Sequence, residues 1–189
     1  MGRAKLSLPF GPELMLPRVV RILSEVVAPV VVVAASRQEL PELPRDVLVA
    51  RDEQEHLGPL AGLAAGLEAL SDRCEAAYVS SCDVPLLRAE FVRRVIELLG
   101  ENDIAIPRDG QYHHPLAAVY RTRLAKDARE LLNAGRMRPV GLLERGRVQE
   151  FDVEVLRDVD PTLDSLRNVN GPEEYEAALR DAGFLESGG

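Results

Sequence analysis

The stretch Ala76-Ala77-Tyr78-Val79-Ser80-Ser81-Cys82-Asp83-Val84-Pro85 decides the fold. Residues 76–81 form a short apolar run that stops at Cys82-Asp83-Val84-Pro85. A run that is apolar on both faces reads as a parallel strand covered by helices. Two similar runs lie upstream: residues 29–35 (PVVVVAA) and the shorter 47–50 (VLVA). Helical patterns separate them. Residues 14–27 carry Leu16, Val19, Val20, Leu23 and Val27, close to an i, i+3, i+4, i+7 stripe. Residues 59–70 (PLAGLAAGLEAL) are a helix rich in small side chains, and 89–99 are amphipathic. The order helix, strand, strand, helix, strand, helix predicts right-handed crossover units. The expected class is therefore α/β, a Rossmann-like, mostly parallel sheet flanked by helices. Such a sheet normally opens on a strand, whereas this chain opens on a loop and a helix.

The second half is less regular. Residues 104–106 and 115–120 read as strands, with Asp109-Gly110 as a turn between them. Residues 121–134 read as a helix that stops at Gly135. A further strand is expected at 148–155. A last helix starts near Pro172, with Glu173 and Glu174 well placed against its dipole. With no repeat, linker or low-complexity tract, residues 1–184 are expected to form a single domain, with 185–189 as a loose tail.

Composition narrows the function. The 189 residues are 46% hydrophobic but only 4% aromatic, without Trp. Val, Leu, Ala and Ile must fill the core, which argues against an aromatic platform for stacking bases. A formal net charge of −8 argues against binding a polyanion, so no nucleic-acid partner is expected; a single nucleotide needs only a local site. Cys74 and Cys82 lie in no CxxC pair and fit a reducing, cytoplasmic setting. No run of about 18 apolar residues exists to span a membrane, and no signal peptide opens the chain.

Five motifs carry chemistry. Asp83 directly follows a buried strand, and in open α/β sheets ligands bind beyond the carboxyl ends of strands. A lone carboxylate there can hold Mg²⁺ while the metal keeps phosphate and water ligands; it can equally cap the next turn. Met1-Gly2-Arg3-Ala4-Lys5 offers a close-approach glycine and a point charge for phosphate. Asp52 follows the VLVA run, ahead of Gly58-Pro59-Leu60-Ala61-Gly62, where a helix start presents free N–H groups or small residues allow close packing. Adjacent His113 and His114 precede a strand; consecutive side chains diverge, which disfavours joint chelation. In Asn168-Val169-Asn170-Gly171-Pro172-Glu173-Glu174, an extended backbone would put Asn168 and Asn170 on one face, to orient a ligand or cap the helix.

Together these motifs resemble the molybdenum cofactor guanylyltransferase family, whose pattern runs L-A-G-G-x-S-x-R-M-G-x-x-K, G-P-L-A-G, C-D-x-P, an H-P-L strand and N-x-N-x-P-E-E. Met1-Gly2-x-x-Lys5, Gly58-Pro59-Leu60-Ala61-Gly62, Cys82-Asp83-Val84-Pro85, His114-Pro115-Leu116 and Asn168 to Glu174 match in that order. The resemblance implies transfer of GMP from GTP to molybdopterin, with pyrophosphate leaving and Mg²⁺ as cofactor. By the same resemblance Lys5 contacts the GTP phosphates, and Asp52 belongs to the nucleotide pocket. Asp83 is the Mg²⁺ ligand and GTP contact. Asn168 and Asn170, with His114, hold the pterin partner or complete the site. Molybdoenzymes or cofactor-insertion proteins are implied partners.

The L-A-G-G-x-S-x-R segment that would precede Met1 is absent from this sequence. It supplies the family's first strand and glycine loop, so the sheet is expected to lack an inner strand beside Val31 to Val33. An upstream translation start is one account. A degenerate protein that binds the cofactor or a partner enzyme without catalysis is the other; as to activity, the alternative is a transferase of the same fold that uses CTP or a sugar phosphate.

Overall fold

The computed structural model of the chain describes residues 5–52 and 58–185, and the side chain of Lys5 is outside that description. Residues 186–189 of the expected tail, and Met1-Gly2-Arg3-Ala4, also lie outside the described residues.

A 3-10 turn at Lys5–Ser7 leads into a small antiparallel ribbon of β1 (Pro9–Phe10) and β2 (Glu13–Leu14). Helix α1 (Met15–Ser24) follows and buries Met15, Leu16, Val19, Val20 and Ile22. It ends three residues short of the expected 27. There the N–H groups of Val26 and Val27 both turn back to the Leu23 carbonyl, and Pro29 cannot extend a helix. Strands β3 (Val31–Ala35) and β4 (Leu48–Asp52) pair in parallel, from Val31 opposite Leu48 to Ala35 opposite Asp52. Helix α2 (Pro59–Leu70) starts at the proline, as expected, behind Gly58 at φ 73°, a left-handed backbone that suits glycine. Strand β5 (Ala76–Ser80) and helix α3 (Ala89–Glu97) complete the first half.

In the second half β6 (Ile104–Asp109) turns at Gly110 into the short β7 (Tyr112–His113), and β8 (Ala117–Arg121) follows. The helix expected over 121–134 is a 3-10 turn, Thr122–Leu124, continuous with α4 (Ala125–Asn133). Gly135, at φ 75°, terminates it, and the N–H of Arg136 closes on the Leu131 carbonyl. Strand β9 (Val148–Asp152) passes into a 3-10 turn at Val153–Leu156, and α5 (Pro172–Asp181) ends the fold.

The sheet is mixed, not mostly parallel. Strand β8 lies between β5 and β6 and runs antiparallel to both, while β9 joins β6 in parallel. The physical reason is the connection: the short β6–β7–β8 segment carries no crossover helix, and only antiparallel neighbours can be joined so briefly. Helices cover both faces. Ile104, Ile106, Ala118 and Tyr120 pack with α2 and α4, whereas Ala105, Ala117 and Val119 pack with Val19 and Ile22 of α1 and Phe91, Val92 and Val95 of α3. Neighbours along residues 104–106 and 117–120 thus serve opposite cores, which is why these stretches are apolar on both faces, while β6 runs on to exposed Arg108 and Asp109.

Strands β3 and β5 do not pair. Among the described residues β3 pairs with β4, and β5 with β8. Between them runs an apolar slot of about 600 Å³, walled by Val31 to Val33 and Ala76 to Ser80, floored by Leu63, Gly66 and Leu67 and roofed by Val19, Val20 and Leu23. This lies where the sequence leads one to expect an inner strand beside Val31 to Val33. Gly66 sets the closeness of α2 to β3, because a Cβ there would sit 3.3 Å from Val33 Cγ2.

The entry to β6 is held by a buried carboxylate. Asp103 accepts the Arg147 N–H at 2.8 Å and pairs with the Arg123 guanidinium at 2.6 Å. The Arg147 N–H first, then the Arg123 charge, outweigh burial and hold its carboxyl below the ordinary 3.8. A depressed folded value gives stability that is present above the unfolded value and lost as pH falls through the folded one. Asp103→Asn should therefore cost roughly 1–3 kcal/mol at neutral pH. It should also flatten the acid limb of a urea-unfolding series below about pH 4. Equal acid slopes for the two proteins would refute the assignment.

Candidate functional site

The site is built at the carboxyl end of β5. After Ser80 the chain leaves the sheet, and Val84, Pro85 and Leu87 anchor the next turn in the apolar interior. Asp83 sits within this turn at 9% exposure, held from both sides. The Ser81 hydroxyl donates to Asp83 Oδ1 from two residues upstream. From far along the chain, Asn168 Nδ2 donates to the same oxygen at 2.8 Å, and the Val169 N–H donates to the Asp83 carbonyl at 2.8 Å. The turn is tied further by Arg18, whose Nε donates to the Pro85 carbonyl at 2.7 Å.

The segment that reaches Asp83 is itself fixed at both ends. Upstream, Asp160 is fully buried; it accepts the Ser165 N–H at 2.8 Å and lies 3.3 Å from Arg88 Nε. The Ser165 hydroxyl accepts the Arg88 N–H at 3.1 Å. Downstream, the Glu174 carboxylate accepts the N–H groups of Asn170 and Gly171 at 2.6 and 3.0 Å. Between these ties Val169 is 1% exposed and packs with Phe10, Met15 and Ala178, while Asn168 and Asn170 stay exposed. The alternation of an extended backbone produces this arrangement.

The remaining candidates divide. Lys5 begins the first 3-10 turn, but its amine is outside the described residues, as is the Met1-Gly2 part of its motif. Asp52 ends β4 on the same rim as Asp83, because α2 carries the chain back to begin β5. Strand β3 and the slot separate Asp52 from β5. Asp52 lies within electrostatic reach of Arg129, which is paired with Glu68 at 2.6 Å. His114 belongs to the same rim: Ala117 is the register partner of Ser80, and the His114 carbonyl accepts the Ala117 N–H. Burial pushes the His114 imidazole below its ordinary 6.5, and its Nε2 finds no hydrogen-bond partner among the described residues. His113 instead faces Glu150, with Nε2 3.3 Å from Oε1. The two histidines diverge, as consecutive side chains should.

The structure thus brings Asp83 and Asn168 into direct contact and sets His114 nearby on the rim. Sequence reasoning gave no role to Ser81, Ser165 or Asp160. Ser81 could have been found, since a hydroxyl two residues before an aspartate is a local hydrogen-bonding pattern. Asp160 and Ser165 carry no such signal.

Among the described residues no group of three or more His, Cys, Asp or Glu could hold a metal ion. A single near-buried carboxylate beyond a strand end fits Mg²⁺, which takes one or two carboxylates and fills its octahedron with phosphates and water. It does not fit zinc, which needs three or four protein ligands. No described helix is long and apolar enough to cross a membrane.

Comparison with known proteins places this geometry. The family described as MobA-like NTP transferase domain matches residues 1–150. A protein named "Probable molybdenum cofactor guanylyltransferase" from Mycobacterium bovis (strain BCG / Pasteur 1173P2) is 35% identical over 187 residues, covering 95% of this chain and 87% of that protein. A protein of the same name from Mycobacterium ulcerans is 35% identical over 185 residues, with the same coverage. Among solved structures, molybdopterin-guanine dinucleotide biosynthesis protein A from Archaeoglobus fulgidus superposes with a TM-score of 0.76 at 24% identity, over 97% of this chain and 93% of that one. The 2-C-methyl-D-erythritol 4-phosphate cytidylyltransferase of Thermus thermophilus shares the fold at a TM-score of 0.68 and 14% identity, over 95% of this chain and 94% of that one.

Proposed function

This chain belongs to the MobA-like NTP transferase family and is a nucleotidyltransferase, and from that premise we propose that it transfers GMP from GTP to molybdopterin. The observation that carries the reading is Asp83, a near-buried carboxylate just beyond β5, oriented by Ser81 and Asn168. The relatives' printed name supplies guanylyl transfer and the molybdenum cofactor. Free thiol chemistry is not required, and the expected setting is the cytoplasm.

In the proposed reaction a phosphate oxygen of molybdopterin attacks the α-phosphorus of GTP in line. The bond to the bridging oxygen breaks, and pyrophosphate leaves with that electron pair. No side-chain nucleophile enters, so catalysis rests on positioning and electrostatics. Asp83 would hold Mg²⁺, which when bound offsets negative charge at the reacting phosphates. Lys5 would hold the departing pyrophosphate. Asp52 serves the nucleotide pocket from the end of β4, and Asn170 and His114 face the acceptor from the rim.

The test is direct. Incubation with GTP, Mg²⁺ and molybdopterin should release pyrophosphate and yield the guanine dinucleotide, seen by chromatography and mass. ATP, CTP and UTP run alongside should be poor donors, because a site built to hydrogen-bond one base rejects the others strongly. Preferential turnover of CTP, or nucleotide binding without pyrophosphate release, would overturn the reading.

A further inference from the structure

Resting on that reading of Asp83, we propose that Asn168 and Ser81 are positioning residues. They lock the Asp83 carboxylate for a divalent cation, and Asn168 does so instead of contacting the acceptor substrate. Both donors converge on one oxygen, Oδ1: the Asn168 amide at 2.8 Å and the Ser81 hydroxyl. Two donors on one oxygen stop the carboxylate from rotating about its terminal torsion, which is otherwise broad. A cation that takes only one or two protein carboxylates gains most from such freezing, because few protein ligands share the work of orientation.

The anchor behind Asn168 is stiff enough for this task. Its neighbour Val169 is 1% exposed and donates its N–H to the Asp83 carbonyl at 2.8 Å. The carboxylate and the main chain of Asp83 are therefore both referenced to one short segment 85 residues away. That segment is pinned by the Ser165–Arg88 bond before it and by the Glu174 carboxylate after it. An amide that merely awaited a ligand would not need its N–H committed to a carboxylate. Outer partners that orient metal ligands typically govern about 10- to 100-fold in metal affinity.

The experiment measures Mn²⁺ binding to the full chain with GTP and without molybdopterin, by the electron paramagnetic resonance signal of free Mn²⁺. Asn168→Ala and Ser81→Ala should each weaken Mn²⁺ about tenfold or more. At saturating Mn²⁺ the KM for molybdopterin should be unchanged in Asn168→Ala. Unchanged Mn²⁺ affinity in both variants overturns the proposal, as does unchanged Mn²⁺ affinity with a raised molybdopterin KM, the signature of substrate contact. Thermal melts monitor folding. Should Asn168→Ala fail to fold, Ser81→Ala decides alone, since it leaves the Val169 tie in place. Asp83→Ala separates the two readings: if it abolishes Mn²⁺ binding while the other variants do not weaken it, only the positioning roles fall. If Asp83→Ala binds Mn²⁺ normally, or the unaltered chain binds none, both fall.

Discussion

Asp83→Ala lowers guanylyl transfer by about a thousandfold or more, since metal stabilisation of reacting phosphates is worth several kcal/mol and each 1.4 kcal/mol is a factor of about ten. The loss should appear in kcat at saturating GTP and molybdopterin, not only in KM. The fold should survive. The tie between Asp83 and Val169 runs through the main chain and is kept by alanine. The exposed Asn168 amide can turn to water, so the destabilisation should stay near about 1–2 kcal/mol by thermal or urea unfolding. Asp83→Asn is the sharper control: it keeps the shape and can still accept the Asn168 N–H, but carries no charge for a cation. Its activity should fall nearly as far. Turnover near that of the unaltered chain in either variant, at any Mg²⁺ concentration, would remove Asp83 from the mechanism.

A five-residue apolar extension added ahead of Met1 raises the melting temperature by about 10 °C. Strands β3 and β5 are each five residues long and leave main-chain edges unpaired, among the described residues, beside an apolar slot of about 600 Å³. A close-packed interior does not hold a void of that size without losing contacts on every wall. An extended segment there would bury side chains on both faces at about 1.5–3 kcal/mol each. It would add main-chain hydrogen bonds at roughly 1 kcal/mol each, against about 1–2 kcal/mol per residue for ordering the backbone. Burial terms of this kind are upper estimates; at their low end, against the full ordering cost, the net gain is about 2–3 kcal/mol, and a protein of this size shifts by about 2–4 °C for each. Leu6, among the first described residues, lies in the apolar cluster with Val20, Val30 and Val32, which also line the slot. An equal extension with a central proline, or with aspartates at alternate positions, should give no gain. Equal melting temperatures for all three would show that the slot does not seat a strand.

The segments that govern these results differ in how far they could be read in advance. Helix α2 begins and ends where its pattern says, because Pro59 starts it and a near-continuous apolar face runs to Leu70. Strand β5 and the position of Asp83 beyond it were equally plain from the apolar run and its stop at Cys82-Asp83-Val84-Pro85, but β5 is half-buried along its length beside the slot, and β8, its partner among the described residues, runs antiparallel to it. The five motifs in order identify the same family as the comparisons do. The sheet's mixed order was not legible. Ile104 to Ile106 and Ala117 to Tyr120 are as apolar as a parallel strand would be, because β6 and β8 are buried on both faces whichever way they run.

By itself, then, the order of residues determined where the longer helices and strands lie, though not the β1–β2 ribbon or the 3-10 turns at Thr122–Leu124 and Val153–Leu156, which family the chain joins, and that a carboxylate stands beyond β5. These follow from periodicity and from chemistry local to a few neighbouring positions. The tertiary structure alone decided that β8 inserts between β5 and β6 and that Asn168 meets Asp83. Each of these is a contact between segments far apart in the chain, selected by which buried faces and hydrogen-bonding groups can be satisfied together, and no local pattern encodes that choice.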